Sequence, residues 1–226
     1  MPPSDPQSPQ NQSNPLVAAM LLAATGGMLD AIVYLNHGHV FANAMTGNVI
    51  FLGIAIIGRD WATIVPHLAP LVGFLAGVAA SKHMRTRLSE GAVLRIGLTS
   101  ETIALFLIGW LPLTFPHMAF TLITAFVSAF QVSIYRRVER FTFNSTFVTG
   151  NLRDMTDGLY DALRPTSPEV REKGLAQATD LGLICLCFLA GAVIGAWAAP
   201  RFGNRALWFT EPLLLAVLLH RLRHPS

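Results

Sequence analysis

Charged residues are scarce in this chain, and their scarcity excludes most soluble folds. Asp, Glu, Lys and Arg make up 13% of the 226 residues, about half of the roughly 25% that a soluble domain carries. Apolar residues reach 52%, so a soluble single domain, a coiled coil and a disordered chain are all disfavoured. The composition favours an all-α membrane protein that crosses the bilayer several times.

Cysteines, catalytic motifs and basic tracts are few or absent in the sequence. Cys185 and Cys187 are two residues apart in an apolar run, so on a helix they point to different faces and do not suggest a disulfide or a zinc site. The sequence has no Gly-x-Ser-x-Gly, His-Glu-x-x-His or P-loop pattern, and a net charge of only +3 does not suggest nucleic-acid binding. We therefore expect no enzyme, no cofactor and no metal, and we expect the lipid bilayer as the main partner.

Six apolar segments are predicted to cross the bilayer as helices, which takes roughly 20 residues, although the last of them is shorter and carries Glu211. They are Leu16–Leu35, Ala62–Ser81, Val93–Leu113, Met118–Tyr135, Leu181–Ala199 and Ala206–His220. They follow a tail, residues 1–15, whose Pro, Ser, Gln and Asn predict disorder. The tail lacks the positively charged start of a signal peptide, so we expect the first segment to stay as an uncleaved anchor.

A shorter apolar segment, Thr46–Gly58, has about 13 residues and is too short for an ordinary span. A run of this length is typical of a re-entrant or interfacial helix. The alternative is a seventh span, which would move the N-terminus to the outside.

The chain contains an internal repeat, because four landmarks return in the same order. They are Tyr34 and Tyr135, Thr46-Gly47-Asn48 and Thr149-Gly150-Asn151, Phe74-Leu75-Ala76-Gly77 and Phe188-Leu189-Ala190-Gly191, and Arg95 with Glu101 and Arg205 with Glu211. The two membrane repeats are then residues 16–113 and 117–222 of a single membrane domain. Each has three full spans plus one short helix. An odd number of spans predicts an inverted second half, as in many secondary transporters.

The basic residues fit this plan. Thirteen of the 16 Lys and Arg residues fall on one side when residues 82–95, residues 136–173 and the C-terminal end are placed in the cytoplasm. The positive-inside rule then predicts a multi-pass protein with both termini in the cytoplasm.

The repeated Thr-Gly-Asn motifs are the predicted substrate site. Thr and Asn are good N-caps and Gly permits close backbone approach, so each copy predicts a loop that turns into a short helix. Two helix N-termini directed at the centre would favour an anion or a polar solute; the alternative is a cap and turn with no ligand. Asp30, the acid inside the first span, and Gln131, its counterpart in the second half, are added to the two motifs. The candidate substrate-binding residues are Asp30, Thr46, Gly47, Asn48, Gln131, Thr149, Gly150 and Asn151.

Glu101 and Glu211 are the candidate coupling residues. Acids inside a membrane are rare and are functional candidates by default, and these two occupy matching places in the two halves. They would couple transport to protons or cations, or else pair with an Arg. His37 and His39 form a His-x-His pair, which favours hydrogen bonding or a pH-responsive outer loop over a metal site, because a third ligand is missing.

A resemblance to a known family rests on the first motif. Asp30-Ala-Ile-Val-Tyr34, then Gly38-His39-Val40-Phe41-Ala42-Asn43-Ala44-Met45-Thr46-Gly47-Asn48, then Phe51-Leu52-Gly53 resemble the signature of the YoaK family of bacterial membrane proteins of unknown function. The second Thr-Gly-Asn and the Phe-Leu-Ala-Gly helix are similar too, so the resemblance runs from about Leu16 to the C-terminus. It implies an integral membrane protein of this size and no established substrate.

The sequence thus predicts a small-solute transporter or channel with its site near the two Thr-Gly-Asn motifs, and it leaves open specificity for anions or coupling to protons. The alternative is a structural or regulatory membrane protein in which the repeat serves only packing, and a membrane-embedded enzyme is less favoured. The sequence leaves a homodimer open.

Overall fold

The computed structural model describes residues 15–134 and 148–223, and every regular element in these ranges is helical. The helices are α1 (Pro15–Asn36), α2 (Met45–Gly58), α3 (Trp61–Arg85), α4 (Glu90–Ile108), α5 (His117–Ile134), α6 (Val148–Leu163), α7 (Pro168–Phe202), a 3-10 helix (Gly203–Phe209) and α8 (Glu211–Arg223). The predicted all-α fold is confirmed for these residues. The predicted tail lies, up to residue 14, outside the described residues.

Four segments of the described chain are long and apolar enough to cross a membrane. They are Leu16–Asn36, Trp61–Arg85, Gly91–Ile108 and Pro168–His220. Two further apolar helices are shorter, Met45–Gly58 and His117–Phe130. Many large apolar side chains along these helices are exposed, as on a surface that faces lipid: Ile57 on α2 is 86% exposed and Leu75 on α3 is 68% exposed. The protein is therefore built to be embedded in a membrane.

The last third of the chain differs from the predicted spans. Helix α7 begins at Pro168, well before the apolar run, because Ser167 caps it by accepting the Val170 N–H at 3.3 Å and Pro168 suits a first turn. The predicted span Ala206–His220 is broken, since a 3-10 helix ends at Phe209 and α8 starts only at Glu211. Gly203 ends α7 with a φ of +56°, a conformation that glycine adopts without strain.

Helix packing exchanges partners between the two halves of the chain. Helix α1 packs along α7 and α3 packs along α5, while α2 lies on α3 and α6 lies on α7. Helix α1 also contacts α8, α4 contacts α5, and α4 meets α8. If α1–α4 are matched with α5–α8 in order, every one of these contacts has its counterpart. The long helices of each half are thus interleaved with those of the other half.

Glycines set how closely the long helices approach. A Cβ added at Gly191 of α7 would collide with the backbone oxygen of Ala24 in α1, and one added at Gly77 of α3 would collide with that of Phe126 in α5. These two glycines end the repeated Phe-Leu-Ala-Gly text. The repeated text therefore has the same local role twice, since it lets two backbones touch.

Candidate functional site

The Asp30 carboxylate is hydrogen-bonded to the loop of residues 37–44, which leads into α2. Asp30 lies on α1 and is only 5% exposed, and its Oδ1 accepts the Asn43 N–H at 2.6 Å. The N–H groups of Ala42 and Ala44 also interact with this carboxylate. Because an acid of the protein already accepts from these amide donors, the acceptor at the start of α2 is Asp30 rather than a bound anion.

The first Thr-Gly-Asn motif holds this loop in place. The Asn48 side chain is fully buried; its Oδ1 accepts the Phe41 N–H at 2.9 Å and its Nδ2 donates to the Phe41 carbonyl at 2.8 Å. Gly47 lies under the Phe41 ring, where a Cβ would come within 2.8 Å of Cε2. Thr46 is exposed, and the N-cap of α2 is Ala44, which makes no side-chain cap. The motif therefore acts through its Gly and Asn, and neither Thr46 nor Asn48 is the N-cap.

The second motif shares the buried Asn and the exposed Thr of the first, but its Gly is not covered. At the start of α6, Asn151 is 4% exposed, whereas Thr149 and Gly150 are exposed. The two motifs lie against different long helices, α2 on α3 and α6 on α7. The side chain of Gln131, the predicted counterpart of Asp30, lies outside the described residues.

Asn43 and Ser128 complete a polar cluster that the sequence analysis missed. The Ser128 hydroxyl of α5 donates a short hydrogen bond to Asn43 Oδ1, so the Asp30 loop is tied to the second half of the chain. Within the described residues, Asp30 Oδ2 and Asn43 Nδ2 are buried and have no hydrogen-bond partner. One is an acceptor and the other a donor. We call Asp30, Asn43 and Ser128 the central polar cluster.

A signal for this cluster was present in the sequence of α5. Thr121, Thr124 and Ser128 recur at helical spacing on one face, and each is at most 1% exposed. The two threonines bond carbonyls of their own helix, Thr121 to Met118 and Thr124 to Phe120. Ser128 reaches across to the first half instead.

Glu101 and Glu211 lie on two helices that pack against each other, α4 and α8. Glu101 is fully buried, and neither of its carboxylate oxygens has a hydrogen-bond partner among the described residues. Glu211 is 9% exposed, its Oε1 is also unpartnered there, and the two carboxylates are within electrostatic range of one another. Arg205, which recurs together with Glu211 in the repeat, lies over the rings of Trp110 and Trp208 instead.

A network around the buried His37 joins the end of α1 to the 3-10 helix and to the start of α5. His37 Nε2 lies 2.7 Å from Asn204 Oδ1, and its Nδ1 lies 3.0 Å from His117 Nδ1. The Asn204 amide nitrogen donates to the Leu111 carbonyl at 2.9 Å, so its oxygen must face His37 and accept the Nε2 hydrogen. Burial lowers the pKa of His37 to about 4, although the hydrogen bond to Asn204 opposes the shift. A neutral His37 therefore accepts at Nδ1 from His117.

His39 is not part of this network. Its ring lies 4.9 Å from that of Tyr34, and its φ of +59° turns the loop toward α2. The His-x-His pair of the sequence thus serves two different contacts.

Long apolar helices around buried carboxyl and amide groups define an integral membrane protein with a polar interior. The family described as "Protein of unknown function (DUF1275)" matches residues 18–220, and the chain belongs to this family. It is also 28% identical over 206 residues to "UPF0700 transmembrane protein YoaK" of Bacillus subtilis (strain 168), with 88% of this chain and 90% of that protein covered. No solved structure matches. The resemblance to the YoaK family is thereby confirmed.

Proposed function

We propose that the protein is a transporter or channel for a small polar solute in the bacterial inner membrane. One observation in the central polar cluster supports this most directly. The acceptor Asp30 Oδ2 and the donor Asn43 Nδ2 are both buried, and neither has a hydrogen-bond partner among the described residues. Leaving a buried polar group unpaired costs roughly 1–3 kcal/mol, so such groups call for a partner. A solute or its water would supply that partner.

In this proposal the residues singled out in the sequence have different tasks. Asp30 contacts the solute, and Asn48 with Gly47 positions the loop that carries Asn43. Thr46 lies at the exposed side of the same turn. The second half contributes Ser128 directly. The counterparts of Asp30 and the first motif in that half are Gln131, Thr149, Gly150 and Asn151.

The proposed architecture is two inverted repeats with six spans and both termini in the cytoplasm. The exchanged packing, in which α1 pairs with α7 and α3 with α5, supports a two-fold relation between the halves. The asymmetry of the basic residues supports the orientation. α5 and the pair formed by the 3-10 helix and α8 would be the fourth and sixth spans, with α2 and α6 as re-entrant or interfacial helices.

A structural or regulatory membrane protein is the second candidate. The Asn48 amide is already hydrogen-bonded to the Phe41 backbone through both its oxygen and its nitrogen, and the repeated glycines serve helix contact. Both features fit a protein in which the repeat serves only helix packing. An enzyme has no such support from the residues, and we expect none.

Flux into proteoliposomes, from a panel of small ions and neutral polar solutes with and without a pH gradient, tests the proposal. Asp30→Asn keeps an oxygen for the Asn43 N–H but replaces the unpaired Oδ2, so it should change flux by tenfold or more with folding intact. Asn48→Ala should lower both stability and flux, because it frees the loop. Thr46→Ala, at an exposed position, is the matched control. If no solute moves faster than in protein-free vesicles, or if Asp30→Asn behaves as wild type, the structural role is the better account.

A further inference from the structure

Two carboxyl groups from opposite halves of the chain converge in an apolar interior. Around Glu101 and Glu211 lie Leu98 and Leu105 of α4 and Leu214 of α8, each at most 2% exposed. Leu98 and Leu105 are three and four residues from Glu101 and so share its face of the helix. The carboxyls therefore lie among hydrocarbon side chains.

No Lys or Arg whose side chain the structure describes balances this pair. On α4 itself Arg95 is exposed, and on the 3-10 helix Arg205 stacks on tryptophans. The remaining titratable or charged groups on the elements packed against α4 and α8 are engaged elsewhere or exposed: Asp30 on Asn43, His117 on His37, His67 on the Thr63 carbonyl, and Lys82, His83 and Arg85 at the exposed end of α3. His220 lies nine residues beyond Glu211, roughly 13 Å along the axis of α8.

We propose that Glu101 and Glu211 form one proton-binding site, in which the two carboxyls share a proton at neutral pH. Two buried like charges within electrostatic range of one another repel strongly in a medium this poor in solvent. A shared proton removes one of them and gives an unpaired oxygen of Glu101 a hydrogen-bond partner in Glu211. Each half of the chain supplies one carboxyl group to the site.

A proton fits this site better than a metal ion. Calcium takes six to eight oxygen ligands and magnesium needs six in octahedral geometry. The described residues contain no group of three or more His, Cys, Asp or Glu side chains placed to hold a metal. A proton needs only the two carboxyl oxygens that are present.

The pair also gives the proposed transporter a place to exchange protons, and this second step rests on the proposed function. Helices α4 and α8 hold matching positions in the two halves, so the site lies where the halves meet. A proton bound there would be affected by any movement of one half against the other.

Infrared spectroscopy of the purified full-length protein in lipid tests the proton site without any transport assay. Protonated carboxyls have a C=O stretching band well separated from that of carboxylates. We expect such a band at neutral pH, and we expect glutamate labelled with carbon-13 to shift it, which separates it from any band of Asp30. Because one proton is shared, Glu101→Gln and Glu211→Gln should each change the whole band rather than remove half of it. Glu172→Gln, at an exposed position of α7, should leave it unchanged.

Several outcomes would overturn the inference. A wild-type spectrum without a glutamic-acid band at neutral pH would mean that both groups are ionised. Two bands removed separately by the two variants would mean independent carboxyls. Loss of the band on adding sodium or magnesium at constant ionic strength would make the site a cation site. The labelled wild-type spectrum decides the first and last even if a variant fails to fold. A shared-proton band in a protein without solute flux would keep the proton site and remove the proposed function.

Discussion

At the scale of single residues, His37 shows how burial fixes both a protonation state and a set of contacts. Its ring stacks on Phe120 with 3.5 Å between centroids and is bonded at both nitrogens. A second proton would leave Nδ1 of His37 and Nδ1 of His117 as two opposed donors. The network that joins the end of α1 to Asn204 and the start of α5 therefore depends on a neutral His37.

This dependence predicts a loss of stability in acid. The folded pKa of about 4 lies below the ordinary value of 6.5, so the folded state favours the neutral ring. The contribution of His37 to stability is then complete above pH 6.5 and is lost as the pH falls toward 4. The thermal midpoint in detergent should fall across this window, and His37→Gln should flatten that part of the profile while lowering stability at pH 7. His83→Gln, exposed on α3, should keep the wild-type profile. An unchanged profile in His37→Gln would contradict the assignment.

The residue types of the central polar cluster were only partly predictable. Asp30 is recognisable because an acid in an apolar run is rare. Asn43 and Ser128 are 85 positions apart, and nothing in the spacing of one sequence shows that a loop before α2 reaches α5. For the same reason the matching positions of Glu101 and Glu211 were visible in the sequence, but the packing of α4 against α8 was not.

At the scale of helices, length and apolarity predicted the existence of the long segments better than their ends. Helix α7 continues to Pro168 because polar residues can extend a helix that already has a cap and a packing partner. That partner is α6, whose Gly158 approaches Gly174 so closely that a Cβ would lie 2.9 Å from its carbonyl oxygen. The spacing of apolar residues in a sequence does not predict a contact between two glycines.

The glycine contacts give a prediction for helix packing. Gly191→Ala and Gly77→Ala should each destabilise the protein by about 1–3 kcal/mol, because the new methyl group meets backbone that cannot turn aside. Gly150→Ala, with open space around it in α6, should be neutral or stabilising by up to about 1 kcal/mol. Thermal midpoints of the three variants in one detergent measure this. Equal midpoints for Gly191→Ala and Gly150→Ala would mean that α1 and α7 are not in backbone contact.

At the scale of the whole molecule, the exchanged packing connects the internal repeat to the candidate sites. Neither half can bury its own long helices, because α1 needs α7 and α5 needs α3. The central polar cluster and the Glu101–Glu211 pair both draw residues from each half. A repeat that only duplicated a stable unit would keep such contacts within each half. Interleaving instead places polar groups where the halves meet, which is where relative movement of the halves would act on them.

The orientation of the halves gives the last prediction. In a variant with Cys185 and Cys187 replaced by Ala, single cysteines at Ser89, Thr166 and Thr114 report three exposed connections. If the second half is inverted, Ser89→Cys and Thr166→Cys should react with a membrane-impermeant thiol reagent only after the cytoplasmic side is opened. Thr114→Cys, between α4 and α5, should react from outside in intact cells, because the basic residues flank the other two connections and not this one. Labelling of Ser89→Cys and Thr166→Cys from opposite sides would exclude the inverted arrangement. The two short helices α2 and α6 would then have to enter from the same side, and the matching of Glu101 with Glu211 across the membrane plane would no longer hold.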